Sequence, residues 1–453
     1  GKAAAALLAA AALAAVSVGL ASVGGHEKQS SQRNLISKAL APNPVPITAP
    51  AAAALDAPIC AGTSARAHTV AMPSVRTFDI NLDTEPAHRW DEAVAAMRGR
   101  VRNALQQVAT TYNLGLVPKA AAAGVNLDDV LQNVTANMAK LFRNSADQAE
   151  EMEGLAVALG VPLLDVMRFN VFYELSGACT SMLANDYKHK DIVHGRNLDY
   201  GIAGLSDIVV NARFKKGAEV VFECTTFLGY VGCLTGMAPG RFSISLNQRD
   251  EKDEVGNIIG YKEWNNFMLA WQQGAQGYGF WIRQSLSQRL SWRDMVAAAS
   301  STLFTRAAYL AIGGTKLDEA VILERRTHAV QLARWMKASL RSEFPELAKV
   351  SYANDFDGKP FVFVCNSDMK HADEARDETA WKLLNALAPR GYGVKSVKGV
   401  MDFEGNSTLH QGLTVETTTF TSEMVAARGI YNTQAKCAVP QYSNIGSGLA
   451  PAR

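Results

Sequence analysis

Gly177-Ala178-Cys179-Thr180-Ser181-Met182-Leu183-Ala184-Asn185-Asp186 is followed after a short polar stretch by His194-Gly195-Arg196-Asn197-Leu198-Asp199-Tyr200-Gly201. Met182 to Ala184 and Asp191 to His194 flank the polar turn Asp186 to Lys190, a pattern that predicts two antiparallel strands. The second strand then returns Arg196 alongside Cys179. A neighbouring cation stabilises a thiolate over a thiol, and a carboxylate such as Asp199 orients that cation or a nearby amine. The plainer reading is a buried cysteine beside a surface hairpin with an ordinary ion pair. Residue types alone leave both readings open.

Outward from this stretch the periodicity changes. From about Trp90 to Gly160, apolar Val130, Leu131, Val134, Met138, Leu141 and Phe142 recur at helical spacing with Asp128, Asp129 and Gln132 between them. Beyond Cys179 the period falls to two. Phe242, Ile244 and Leu246 alternate with Ser243, Ser245 and Asn247, and Val220 to Phe222, Phe361 to Val364 and Leu413 to Phe420 are β-rich. Helical runs return at Trp292 to Leu303 and Arg376 to Leu387. A helix-rich first third followed by many strands predicts an α+β layered domain rather than a regular βαβ alternation. No internal repeat, Walker A loop or dinucleotide fingerprint occurs. The glycines from Gly274 to Gly279 lack a preceding strand in the required frame and read as a flexible loop.

Composition narrows the function classes. The chain has 453 residues, 48% of them hydrophobic, which supports a full core and excludes a wholly disordered protein. With 45 Lys+Arg against 43 Asp+Glu the formal charge is +2, so no basic field exists to hold a nucleic acid. Function must therefore reside in a local site. Six cysteines with no CxxC pair argue against a zinc ribbon, a thioredoxin-like site or a dense disulfide scaffold. If Cys179 stays unbridged, the other five allow at most two disulfides, and Cys60 and Cys437, near the two ends of the folded part, suit a bridge. His189 and His194 do not converge on one metal, so no metal site and no cofactor is expected.

Residues 1–25 are Ala-rich and uncharged from Ala3 to Gly25, with Lys2 before them. A signal peptide fits this pattern best, with a membrane anchor or a low-complexity leader as alternatives. Residues 26–59 read as an Ala/Pro-rich linker. Asn133-Val-Thr and Asn406-Ser-Thr are glycosylation acceptors if the chain is secreted. Phe267, Trp271, Tyr278, Phe280 and Trp281 form an aromatic cluster, either a core helix or a lipid-contacting lip.

The Cys179-Thr-Ser and Gly195-Arg-Asn-Leu-Asp-Tyr200 motifs resemble those of acid ceramidase and N-acylethanolamine-hydrolysing acid amidase, relatives of choloylglycine hydrolases and penicillin V acylase. Phe78-Asp-Ile-Asn-Leu-Asp83, Thr225 to Gly232, Phe242 to Arg249, Tyr309 to Thr315 and Leu413 to Thr418 extend the likeness in consistent order. The resemblance implies an N-terminal-nucleophile hydrolase, an αββα sandwich in which residues 60–178 form a helix-rich α subunit or propeptide and residues 179–453 the catalytic β subunit. It implies self-cleavage between Ala178 and Cys179, leaving an α/β heterodimer whose Cys179 is both nucleophile and, through its new α-amine, base. Arg196 would hold the thiolate, Asp199 the α-amine, and Asn366 in Cys365-Asn-Ser-Asp368 the oxyanion. A distal family arginine matches Arg376. Asn247 and Gln248 stand where relatives carry Asn-Glu, so a site-supporting carboxylate is replaced by an amide.

The implied function is a lysosomal or secreted lipid amidase acting on ceramide or N-acylethanolamines at a membrane or micelle surface, with a lipid-transfer activator protein as candidate partner. A bile-salt or penicillin V-type amidase and a non-catalytic lipid-binding relative, the latter favoured by Gln248, are the alternatives.

Overall fold

The computed structural model describes residues 75–122, 126–138, 145–172, 178–249, 273–368, 375–403 and 418–436, with Gly124, Phe142 and Leu413. The leader, the linker, Cys60, Cys437, Asn406, Phe267 and Trp271 lie outside the described residues.

The first third is helical, as its periodicity predicts. α1 (Asp91–Thr111) buries Val94, Met97, Val101, Ala104, Leu105 and Val108 along one stripe. α2 (Val117–Ala122) and α3 (Leu127–Ala136) follow, and the Asn126 side chain caps α3 by accepting from the amides of Asp128 and Asp129. α4 (Ala146–Leu159) stops at Gly160, whose φ of 67° lies in the left-handed region, and α5 (Leu163–Phe172) completes the group. These helices pack on one another and on the strands Val209–Lys216 and Glu219–Phe227 through ring pairs such as Trp90 with Phe214 and Phe169 with Phe227.

The strands form two sheets, and the antiparallel hairpin lies inside the smaller one. β2 (Ala178–Asp186) and β3 (Asp191–Asp199) pair from Ala178↔Asp199 to Asp186↔Asp191, turning through Lys190 at φ 60°. Among the described residues one sheet runs β12-β2-β3-β13-β14, with β12 (Phe361–Val364), β13 (Thr418–Val425) and β14 (Ile430–Ala435). The other runs β1-β4-β5-β6-β7-β8-β9-β10-β11. Its strands are β1 (Arg76–Asn81), β4 (Val209–Lys216), β5 (Glu219–Phe227), β6 (Thr235–Ala238), β7 (Phe242–Gln248), β8 (Ala308–Gly313), β9 (Ala320–Arg325), β10 (Val330–Trp335) and β11 (Ser351–Ala353). β1 precedes Cys179 in the chain and pairs in parallel with β4, which follows it.

The sheets face each other and helices cover their outer sides. α6 (Tyr278–Ser287) and α7 (Trp292–Ser301) lie on the larger sheet, α8 (Ala375–Leu387) and α9 (Val394–Met401) on the smaller. This is the αββα layering that the resemblance implies. α7 opens on a capping box, with Ser291 and Asp294 each satisfying the other's backbone amide. Gly195 on β3 has no room for a side chain, since a Cβ there would stand 2.7 Å from Val397 Cγ1 of α9.

One expectation changes, and one choice left open is closed. Gly274 to Gly279 is not wholly a loop, because Tyr278 and Gly279 open α6, and a Cβ on Gly279 would collide with the Tyr230 hydroxyl. Of the two readings of Tyr278, Phe280 and Trp281, the core helix holds and the lip does not. The three rings are buried, with Phe280 against Phe142 and both Tyr278 and Trp281 against Phe304. A disulfide joins Cys224 and Cys233, tying β5 to the segment before β6.

Sequence reading also missed a buried ion cluster. Glu151 on α4 accepts from both Arg283 Nη groups at 2.5 Å, from Arg89 Nη1 at 3.0 Å and from Trp90 Nε1 at 2.7 Å. Arg283 belongs to α6, so the cluster joins the helices before Cys179 to the chain after it.

Candidate active site

Side chains alternate across a strand, so every second residue of β2, β3 and β7 enters the layer between the sheets. From β2 come Cys179 and Ser181, from β3 His194 and Arg196, from β7 Ser243, Ser245 and Asn247. All are buried. The alternation of β7 would ordinarily turn its polar face to water, but here that face meets the second sheet. A polar layer inside a sandwich is tolerable only when its groups are hydrogen-bonded.

Arg196 satisfies that condition fully. Its five N–H groups find acceptors in the Asn197 carbonyl at 2.7 Å, Asn247 Oδ1 at 3.1 Å, the Leu246 carbonyl at 2.5 Å, Thr235 Oγ1 at 3.4 Å and Cys179 Sγ at 2.9 Å. Asn247 bonds in two directions. Its Nδ2 donates to the Val364 and Cys365 carbonyls at 3.1 and 2.8 Å, linking β7 to β12, while its Oδ1 faces Arg196.

A second set of groups surrounds the Cys179 nitrogen. In the continuous chain the Cys179 N–H donates to Asn366 Oδ1 at 2.8 Å, and Arg376 Nη2 donates to the same oxygen at 2.9 Å. Asn366 Nδ2 donates to the Gln248 carbonyl at 2.7 Å. Asn366 thus presents its amide oxygen to the nitrogen of the uncut Cys179, and Gln248 contributes its backbone. Arg376 Nη1 reaches Asp199 Oδ2 at 3.2 Å, and Thr418 Oγ1 donates to Asp199 Oδ1 at 2.6 Å. The group on the Cys179 nitrogen is therefore Asn366, with Asp199 one step behind it through Arg376. The reason is register, because Asp199 stands opposite Ala178 and alternation sends it to the face of Asn197, toward α8 and α9. Burial raises the Asp199 carboxyl above the usual range, opposed by Arg376, Thr418 and Arg196.

Behind Asn366, Asp368 takes Arg249 Nε and Nη2 at 2.6 and 2.7 Å and the Tyr309 hydroxyl at 2.7 Å. Burial works against its charge, but Arg249 and Tyr309 outweigh it and hold the carboxyl below its ordinary value. This clasp fixes the loop after β12 that carries Asn366. It was visible beforehand only as Asp368 and Arg249 lying two residues from two flagged asparagines.

The remaining flagged residues lie elsewhere. His189 Nδ1 meets Asp186 Oδ2 at 2.7 Å on the hairpin turn, whereas His194 sits between serines in the inter-sheet layer. Asn133 is exposed on α3. No helix among the described residues is long and apolar enough to cross a membrane.

No family model matches the chain. It is similar to acid ceramidase of Rattus norvegicus, 31% identical over 262 residues, which cover 55% of this chain and 63% of that protein. Acid ceramidase of Mus musculus is 32% identical over 260 residues, covering 54% and 62%. The chain thus matches somewhat under two thirds of these relatives' length. A probable acid ceramidase of Caenorhabditis elegans is 28% identical over 374 residues, covering 79% of this chain and 84% of that protein. A solved structure of a Caenorhabditis elegans N-acylethanolamine-hydrolyzing acid amidase ortholog gives a TM-score of 0.45 at 22% identity over 57% of this chain and 99% of that one. By sequence the chain is thus similar to acid ceramidases over 54% to 79% of its length, at 28% to 32% identity.

Proposed function

We propose that the chain is a self-activating cysteine amidase that cleaves the N-acyl bond of a lipid amide, ceramide or an N-acylethanolamine, to a fatty acid and an amine. The observation that carries this reading is the pair of contacts on Cys179, with Arg196 on its sulfur at 2.9 Å and Asn366 on its nitrogen at 2.8 Å.

In the intact chain the Cys179 nitrogen is an amide and cannot act as a base. Activation begins when Cys179 Sγ attacks the Ala178 carbonyl carbon. The Ala178–Cys179 C–N bond breaks, the nitrogen takes up the proton, and the resulting thioester is hydrolysed by water. The new α-amine, with an ordinary pKa of about 7.7 to 8.0, then accepts the thiol proton. In turnover the thiolate attacks the substrate carbonyl, the α-ammonium protonates the leaving amine, and water releases the fatty acid from the acyl-thioester. Arg196 supports the anionic sulfur, and Arg376 and Asp199 hold Asn366 and the amine in place. Asn366 turns its amide donor to the oxyanion once the Cys179 amide is gone.

The same reading places the enzyme in a lysosomal or secreted setting, with its substrate presented at a membrane or micelle surface, a lipid-transfer activator protein as partner, and residues 60–178 and 179–453 as two subunits. Intact mass and N-terminal sequencing after acid incubation test it. The expected result is a new N-terminus at Cys179, with cutting and hydrolysis both absent in Cys179→Ala. An active enzyme without that terminus overturns the mechanism. N-lauroyl and N-palmitoyl amides compared with a bile-salt conjugate and penicillin V test the substrate class. Preference for either of the last two removes the lipid assignment, and binding without turnover favours the non-catalytic relative to which Gln248 points.

A further inference from the structure

The inter-sheet layer contains a buried hydrogen-bonded chain that the mechanism above does not use. His194 Nδ1 lies 3.0 Å from Ser243 Oγ and its Nε2 lies 2.8 Å from Ser245 Oγ. Ser245 Oγ is 2.7 Å from Ser181 Oγ, and Ser181 donates to Asn247 Oδ1 at 2.6 Å. That same oxygen accepts from Arg196 Nη1, whose neighbouring Nη2 donates to Cys179 Sγ. The chain therefore runs unbroken from Ser243 to the nucleophilic sulfur.

Its direction follows from counting protons. The Val364 and Cys365 carbonyls take both hydrogens of Asn247 Nδ2, so the amide must turn its oxygen toward Ser181 and Arg196. A serine hydroxyl has one proton. The Ser181 proton is committed to Asn247, so Ser181 accepts from Ser245. The Ser245 proton is then committed in turn, so Ser245 accepts from His194 Nε2–H. Burial, aided by the charge of Arg196, lowers the His194 pKa to about 3, which keeps the ring neutral. Nδ1 is consequently unprotonated and accepts from Ser243. One tautomer satisfies every group.

We propose that His194, with Ser243, Ser245 and Ser181, is a positioning relay that holds the Asn247 carbonyl on Arg196 and thereby sets the guanidinium plane against the Cys179 sulfur. Apolar side chains would fill this layer without the desolvation cost of buried polar groups. The chain is explained by what it orients. Its effect on turnover rests on the amidase reading, whereas its hydrogen-bond direction does not.

Two measurements test it. In the full chain labelled with ¹⁵N-histidine, with His194→Gln assigning the resonance, His194 is expected to show a protonated Nε2 and a bare Nδ1, unchanged from acid to neutral pH. The opposite tautomer, or titration in that range, overturns the relay. In kinetics, His194→Gln keeps a donor in place of Nε2–H and is expected within a few-fold of wild-type kcat. His194→Leu and Ser181→Ala are expected to lose roughly ten- to a hundredfold in kcat at unchanged KM, the scale of a displaced reacting group. Equal losses in His194→Gln and His194→Leu, or losses that track Tm, overturn the relay. If His194→Leu does not fold, Ser181→Ala against Ser181→Thr makes the same comparison. A wild-type chain that neither cuts itself nor hydrolyses an amide sinks the amidase reading alone, and the NMR result still decides the relay.

Discussion

Arg196 and Cys179 are not paired across the hairpin. Ser181 stands opposite Arg196, and the guanidinium reaches diagonally along one face of the sheet to the sulfur at 2.9 Å. That reach depends on a planar fork whose Nη1 is held by Asn247 while Nη2 touches Sγ.

Lysine has no such fork. Arg196→Lys keeps the charge but cannot serve the sulfur, Asn247 and the Leu246 carbonyl together. Turnover is expected to fall about 10² to 10³, the range for losing one preorganised donor at a reacting centre. A kcat within a few-fold of wild type shows that charge alone suffices.

Asn366→Ala removes the partner of the Cys179 nitrogen and one anchor of Arg376. The expected outcome is a loss of about 10² to 10³ in kcat with the thermal transition nearly unchanged, because Asn366 is only half-buried. Slower self-cleavage in the same variant, read by intact mass over time, separates its role in the uncut chain from its role in turnover.

Glu151 is wholly buried beneath Arg283, Arg89 and Trp90. Glu151→Ala takes the carboxylate from the buried Arg283 and one of two from Arg89, which keeps Asp147, and is expected to cost about 3 to 5 kcal/mol in denaturant unfolding of the uncut Cys179→Ala chain. A loss under about 1 kcal/mol refutes the assignment of this cluster as a clasp between the two halves.

Glu423 on β13 is buried near Lys398, Asp402 and Lys436, and burial raises its pKa from 4.5 to about 7 despite the two lysines. Its pKa is higher in the folded state, so folding takes up a proton. The contribution is fully present below about pH 4.5 and is lost as pH rises through about 7. Glu423→Gln is expected to flatten the stability profile in that window by up to about 1.4 kcal/mol per pH unit, leaving the variant more stable than wild type above neutrality. Parallel profiles for the two proteins reject it.

The hairpin, the helical first third, α7, α8 and β12 were legible because each repeats a local period or carries its own turn or cap. The Cys179–Arg196 contact was legible for the same reason, since a hairpin sets its own register. What escaped were relations between distant segments. Nothing near Glu151 names Arg283, and Cys224–Cys233 is one pairing among several that sequence permits. Ser243 and Ser245 read only as the polar half of an alternating strand and His194 only as a rejected metal ligand, because alternation shows which residues share a side but not what that side meets.

β1 lies in parallel beside β4, yet the proposed cut at Cys179 separates them covalently. Before the cut, refolding is a first-order event of one chain. Afterwards, where only the described contacts hold the pieces, the same sheet closes only when two molecules meet, and recovery from denaturation becomes second-order and slows on dilution. Activation would then exchange a reversible folding equilibrium for an assembly whose lifetime is set by its rate of coming apart.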